Sequence, residues 1–188
     1  MKETRDVKLI VESLIFVSEK AITTSQIKEV LGDVSSAKIE GYIKDLNEEY
    51  VRTGRGFRLE EIAGGWQFRT VPEVEPWIKE LLKIQRKDRL SSPALETMAI
   101  IAYKQPITKA EIEGIRGVNI DGVLSTLTDK QLVRIVGRKE VAGRPFLYGT
   151  TTRFLEHFGL ANIKDLPEIE GLKERGKNES KTTAGKDQ

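Results

Sequence analysis

The sequence predicts a mainly helical α+β protein with small β-hairpins: two tandem copies of three helices followed by a hairpin, the plan of a winged-helix domain. Three observations predict it. Thr23-Thr24-Ser25-Gln26 and Thr108-Lys109-Ala110-Glu111 both spell Thr-x-x-Gln/Glu ahead of an apolar position, Ile27 or Ile112. This is a capping box, in which the Thr hydroxyl and the Gln/Glu side chain satisfy each other's orphan amides in the first helical turn. Each box follows an apolar helical segment, 9–17 or 95–103, and each new helix runs to a glycine stop, Gly32 or Gly117. A third helix comes next in each copy, with Ile39 and Tyr42 matching Leu124 and Leu127, and then hairpin-like alternation.

In the first copy, helical spacing of Val7, Ile10, Leu14 and Val17 predicts a helix from about 4 to 18. Leu9, Ile15 and Phe16 widen its apolar surface beyond one stripe, so the helix needs a second partner in the domain or in another subunit. Helix 2 is expected over 25–31. Helix 3 should start near Ser35 or Ser36 and turn Ile39, Tyr42, Ile43 and Leu46 inward. Alternation in 57–62 and 66–71 around Ala63-Gly64-Gly65 predicts a hairpin.

Residues 74–82 read as a short amphipathic helix with Pro76 in its first turn, and 83–89 are basic. Leu90-Ser91-Ser92-Pro93 then breaks the chain and opens a new helix. The expected division is a first domain over 1–78, a basic connector over 79–92 and a second domain over 93–170. In the second domain, helices are expected at 93–103, 109–115 and 119–130, hairpin arms at 132–137 and 146–150, and a further helix at 153–160. Residues 171–188 are polar and charged with little apolar content, the composition of a disordered tail.

Composition narrows the function. Apolar residues make up 38% of 188, enough for two small cores. With no cysteine, neither a disulfide framework nor a thiolate metal site is available. No signal core and no membrane-length apolar run occurs, so a soluble cytoplasmic protein without a membrane partner is expected. The net charge of +2 is no nucleic-acid signature.

No catalytic constellation emerges, and neither metal nor cofactor is expected. His157 is the only histidine and has no Cys to pair with. Gly54-Arg55-Gly56 and Gly64-Gly65 lack the strand–loop–helix setting of a phosphate loop and read as turns. DNA reading would use helix 3, yet both third helices are net acidic. One sets Lys38 and Lys44 against Glu40, Asp45, Glu48 and Glu49; the other sets Lys130 against Asp121 and Asp129. Acidic faces oppose the phosphate neutralisation that drives DNA affinity. A basic group remains in the connector, with Lys79, Lys83, Arg86, Lys87 and Arg89, and another around the second hairpin, with Arg134, Arg138, Lys139, Arg144 and Arg153. These read as solvated faces, as weak DNA contacts or as the site of an acidic protein partner. Pro145, Phe146 and Tyr148 beside Arg138 and Arg144 favour the protein partner, because aromatic and Arg anchors typify interface hot spots.

The second copy closely resembles the segregation and condensation protein B family. The matching residues are Leu95 through Thr108, Ile115-Arg116-Gly117-Val118, Gly137-Arg138, Gly143 through Thr151, Phe154-Leu155, Phe158-Gly159-Leu160 and Asp165-Leu166-Pro167. The first copy matches loosely, through Glu12 to Phe16 and Gly65 to Arg69. The resemblance implies a non-enzymatic accessory subunit of a bacterial condensin-like complex, nucleoid-associated. Such a subunit dimerises, binds the kleisin and reaches the SMC heads through it, with DNA touched indirectly or weakly. A winged-helix transcriptional regulator is the alternative, supported by fold analogy alone. Chemistry and motif position single out Ile10, Leu14, Ile15 and Phe16 for dimerisation, and Arg138, Arg144, Pro145, Tyr148 and Phe158 for partner binding.

Overall fold

The computed structural model describes residues 4–82 and 90–168. The expected basic stretch 83–89 and the expected disordered tail both lie outside the described residues, the tail wholly so. In the first half, α1 (Thr4–Val17), α2 (Thr24–Leu31) and α3 (Ser36–Arg52) precede an antiparallel hairpin of β1 (Phe57–Ile62) and β2 (Gly65–Thr70). A 3-10 turn at Pro72–Val74 leads into α4 (Glu75–Leu82), which runs across the boundary expected between 78 and 79. The second half comprises α5 (Ser92–Lys104), β3 (Ile107–Thr108), α6 (Lys109–Arg116), α7 (Asp121–Asp129), β4 (Val133–Arg138), β5 (Phe146–Thr150) and α8 (Thr152–Phe158), with a 3-10 turn at Ile163–Asp165. Each half therefore sets three helices ahead of a small antiparallel sheet.

Both capping boxes form. Thr23 Oγ1 accepts from the Gln26 amide at 3.2 Å while Gln26 Oε1 accepts from the Thr23 amide at 2.9 Å. Thr108 and Glu111 repeat the pair at 3.3 and 2.8 Å. Gly117 closes α6 in the left-handed conformation, φ 70°, which a side chain disfavours.

Two hydrophobic cores result. One gathers Val7, Val11, Ile15, Ile27, Ile39, Ile43, Leu46 and Leu59; the other gathers Met98, Ile101, Ile112, Ile120, Leu127, Leu132 and Phe154. Full burial of one such aliphatic side chain is worth roughly 1.5–3 kcal/mol. The inward positions of α3 are those expected, with Tyr50 added. The α1 stripe differs. Val7, Val11 and Ile15, spaced four apart, face the core; Ile10 and Leu14 lie at its flank, and Val17 is 75% exposed.

The hairpins are more than two-stranded in effect. Ile22 forms a bridge to Trp66, exchanging backbone bonds at 3.0 and 2.8 Å. At the equivalent place in the second half, β3 pairs with β5, giving a sheet of order β3-β5-β4 that the alternation pattern did not disclose. The first turn places Ala63 and Gly64 at φ 53° and 77°, the two positive values a tight twisted hairpin requires. The Ala63 amide donates to the Leu160 carbonyl at 2.9 Å, tying this turn to the segment after α8.

Candidate interaction surfaces

With Val7, Val11 and Ile15 inside, helical geometry leaves the opposite face of α1 to Leu9, Ser13, Phe16 and Val17. Phe16 is 78% exposed. Its ring meets Phe68 edge-on at 6.0 Å, Phe68 meets Phe57 at 5.5 Å, and Phe57 meets Tyr50 at 5.1 Å. An aromatic string thus runs from helix to hairpin. Beside it lies a groove of about 470 Å³ lined by Glu12, Ser13, Phe16, Phe57, Phe68, Arg69 and Thr70. Tyr50 Oη donates to Glu12 at 2.6 Å, and burial together with that carboxylate pushes the phenol's pKa well up, keeping it protonated.

The expected dimerisation residues do not share one fate. Phe16 is displayed. Ile10 and Leu14 are half-buried, with Leu14 packed on the core. Ile15, only 2% exposed, is a core residue of its own domain and is unavailable to a partner. The physical reason is the four-residue ridge through Val11, which turns Ile15 inward. Leu9 and Val17 take its place on the outer face.

In the second hairpin, Arg138 and Phe146 are register partners, and the Arg138 guanidinium stacks on the Phe146 ring at 4.1 Å. Arg138 also donates to the Arg144 carbonyl at 3.1 Å, while Arg144 reaches Glu140 at 3.2 Å. The Lys139 amide donates to the Pro145 carbonyl at 2.9 Å, closing the wing around Pro145. Lys139 Nζ meets Glu111 Oε1 at 2.6 Å, so one carboxylate caps α6 and anchors the wing. The Lys139 hydrogen bond, followed by those from Thr108, holds the Glu111 pKa down at about 2.

Phe146 is 40% exposed, with the Arg138 guanidinium over its ring. Tyr148 is half-buried against the second core. Phe158 belongs to a separate cluster on α8, tilted against Phe154 at 4.8 Å and edge-on to His157 at 5.0 Å. Arg138, Arg144, Pro145 and Phe146 are therefore brought together, with exposed Ile135 and Val136 on the same strand pair. A further cleft of about 490 Å³ between α5 and α6 is lined by Ala99, Ile100, Tyr103, Ile115, Arg116 and Val118 among others, with an Arg116–Glu96 ion pair at its side. Sequence reasoning did not single it out, although Ile115 and Val118, apolar residues flanking the glycine stop, signal an exposed apolar edge.

The third helices remain acidic on their exposed sides. The cavity of about 800 Å³ between α3 and the first hairpin is lined by Glu40, Glu48 and Glu61 against Lys44 and Arg52. Asp121 at the start of α7 is ion-paired with Lys109 at 2.5 Å, which lowers its pKa. Among the described residues, no group of three or more His, Cys, Asp or Glu could hold a metal ion. No described helix is long and apolar enough to cross a membrane.

Residues 9–169 match the family model for the segregation and condensation complex subunit ScpB. The chain is 45% identical over 172 residues to segregation and condensation protein B of Syntrophotalea carbinolica, covering 92% of this chain and 86% of that one. It is 47% identical over 165 residues to the protein of that name from Symbiobacterium thermophilum, covering 87% and 74%. It is also similar to a solved structure described as a dimer of an ScpB N-terminal domain complexed with an ScpA peptide, at 33% identity over 41% of this chain and 95% of that one, with a TM-score of 0.38.

Proposed function

The chain belongs to the segregation and condensation complex subunit ScpB family, and on that premise we propose that it is a non-enzymatic accessory subunit of a bacterial condensin-like SMC–kleisin complex. It dimerises, binds the kleisin and through it supports the SMC heads during chromosome condensation and segregation, in the cytoplasm and at the nucleoid. The single observation that carries this reading is the family match across both halves, residues 9–169.

The physical features support a division of labour. Residues 1–78 carry the dimer surface, where the outer face of α1 leaves Leu9, Phe16 and Val17 in solvent. Exposed contiguous apolar area of this kind marks interaction surfaces. Residues 93–170 carry the kleisin surface, centred on Arg138, Arg144, Pro145 and Phe146 of the second wing, and 79–92 connect the two. The acidic outer sides of α3 and α7 disfavour direct DNA reading.

Light scattering of the full chain, followed by calorimetry with the purified kleisin subunit, tests the proposal. A dimer that binds the kleisin is expected. A monomer with no heat of binding, or a specific DNA footprint that persists at physiological salt, would defeat it.

A further inference from the structure

No residue of α4 is buried. Trp77 is 70% exposed and Leu81 76%, and, being four apart, they stand one above the other on the helix. Glu80 flanks this edge on one side, while Glu75 and Lys79 pair with each other at 2.5 Å farther round. A short helix with an apolar edge gains little from folding alone, because isolated helices of eight residues are marginal in water. Its apolar edge calls for a partner. On the same domain the aromatic groove beside Phe16, Phe57 and Phe68 is open, with Arg69 on its rim. Gly56, the neighbour of Phe57, lies against Val74 just before α4, so projection and groove occupy one end of the domain.

Resting on the dimer reading above, we infer that α4 of one copy seats its Trp77–Leu81 edge in the aromatic groove of a second copy. Two facts select that occupant. A projection and a cavity side by side on one domain are self-complementary under a two-fold axis, where each surface of one subunit meets the other surface of its partner. The charges are opposite in sign, since Glu80 flanks the Trp77–Leu81 edge and Arg69 lines the groove. The groove's volume of about 470 Å³ admits an indole and an isobutyl group. Two Trp77 and two Phe16 rings, at roughly 150–250 Å² each, supply on the order of half of the roughly 1,200 Å² that a stable interface needs. The grooves and the Leu9 and Val17 side chains add the rest.

The chain has no cysteine, so introduced thiols report on one position each. Full-length Arg69→Cys and Glu80→Cys variants, one tagged, are co-expressed and treated with a short bis-maleimide linker. A linked tagged–untagged pair is the expected product. In parallel, Trp77→Ala is expected to raise the dimer dissociation constant at least tenfold. A dimer by light scattering that yields no linked pair, or that Trp77→Ala leaves unweakened, overturns the α4 placement while the dimer reading stands. A monomeric wild-type chain overturns both.

Discussion

The Arg138 guanidinium lies 4.1 Å from the centre of the Phe146 ring, and the two residues face each other across the ends of β4 and β5. A cation held over an aromatic face and hydrogen-bonded to the Arg144 carbonyl is presented in one orientation. Arg138→Ala is accordingly expected to weaken kleisin binding by about 2 kcal/mol, roughly thirtyfold, in calorimetry. Circular dichroism should stay unchanged. Tyr148→Ala is a poorer probe, because its ring packs on the second core.

Phe16 and Ile15 are sequence neighbours with opposite environments, 78% and 2% exposed. Phe16→Glu should leave monomer stability within about 0.5 kcal/mol and shift light scattering from dimer to monomer. Ile15→Glu should instead unfold the first domain, since an unpaired carboxylate in an apolar core costs on the order of 4 kcal/mol or more. A folded, monomeric Ile15→Glu protein would contradict the packing described.

A Cβ at Gly65 would sit 2.9 Å from the backbone carbonyl carbons of Ala21 and Ile22, where the hairpin approaches the Ile22 bridge. Neither backbone can yield as a side-chain tip could. Gly65→Ala should cost about 1–3 kcal/mol, read from the denaturant midpoint.

Glu111 predicts an acid dependence. Its folded pKa of about 2 lies below the ordinary 4.5. Its contribution to stability is therefore fully present above pH 4.5 and is lost as pH falls from there towards about 2. Glu111→Gln keeps a neutral capping box like that of Gln26 but drops the charge paired with Lys139. The slope of unfolding free energy between pH 5 and 3 should be shallower in this variant. An unaltered slope would assign the acid sensitivity to other carboxylates.

Much of this was legible in the chain, for local reasons. Thr23–Gln26 and Thr108–Glu111 specify their helix starts within four residues, and both boxes form. The α3 interior, Ile39 through Leu46, follows from periodicity. What escaped was set at longer range. In α1 nearly every position from Leu9 to Val17 is apolar, so spacing alone could not choose between the Ile10–Leu14 and Val11–Ile15 ridges; packing against α3 and the hairpin chose. β3 is two residues long and exists only through its pairing with β5. Phe146, at the start of β5, is covered by Arg138 from the facing strand, a pairing that local sequence does not specify.

In both halves the residue just ahead of the capping-box threonine pairs with the hairpin, Ile22 with Trp66 and Ile107 with Tyr148. Each wing is thereby riveted to the start of the helix beneath it, and in the second half Lys139 adds a fastening at Glu111. Such a wing meets its partner already shaped, and little ordering entropy is left to lose on contact. Changes to its exposed side chains should therefore appear mainly in how long a complex lasts, rather than in how fast it forms.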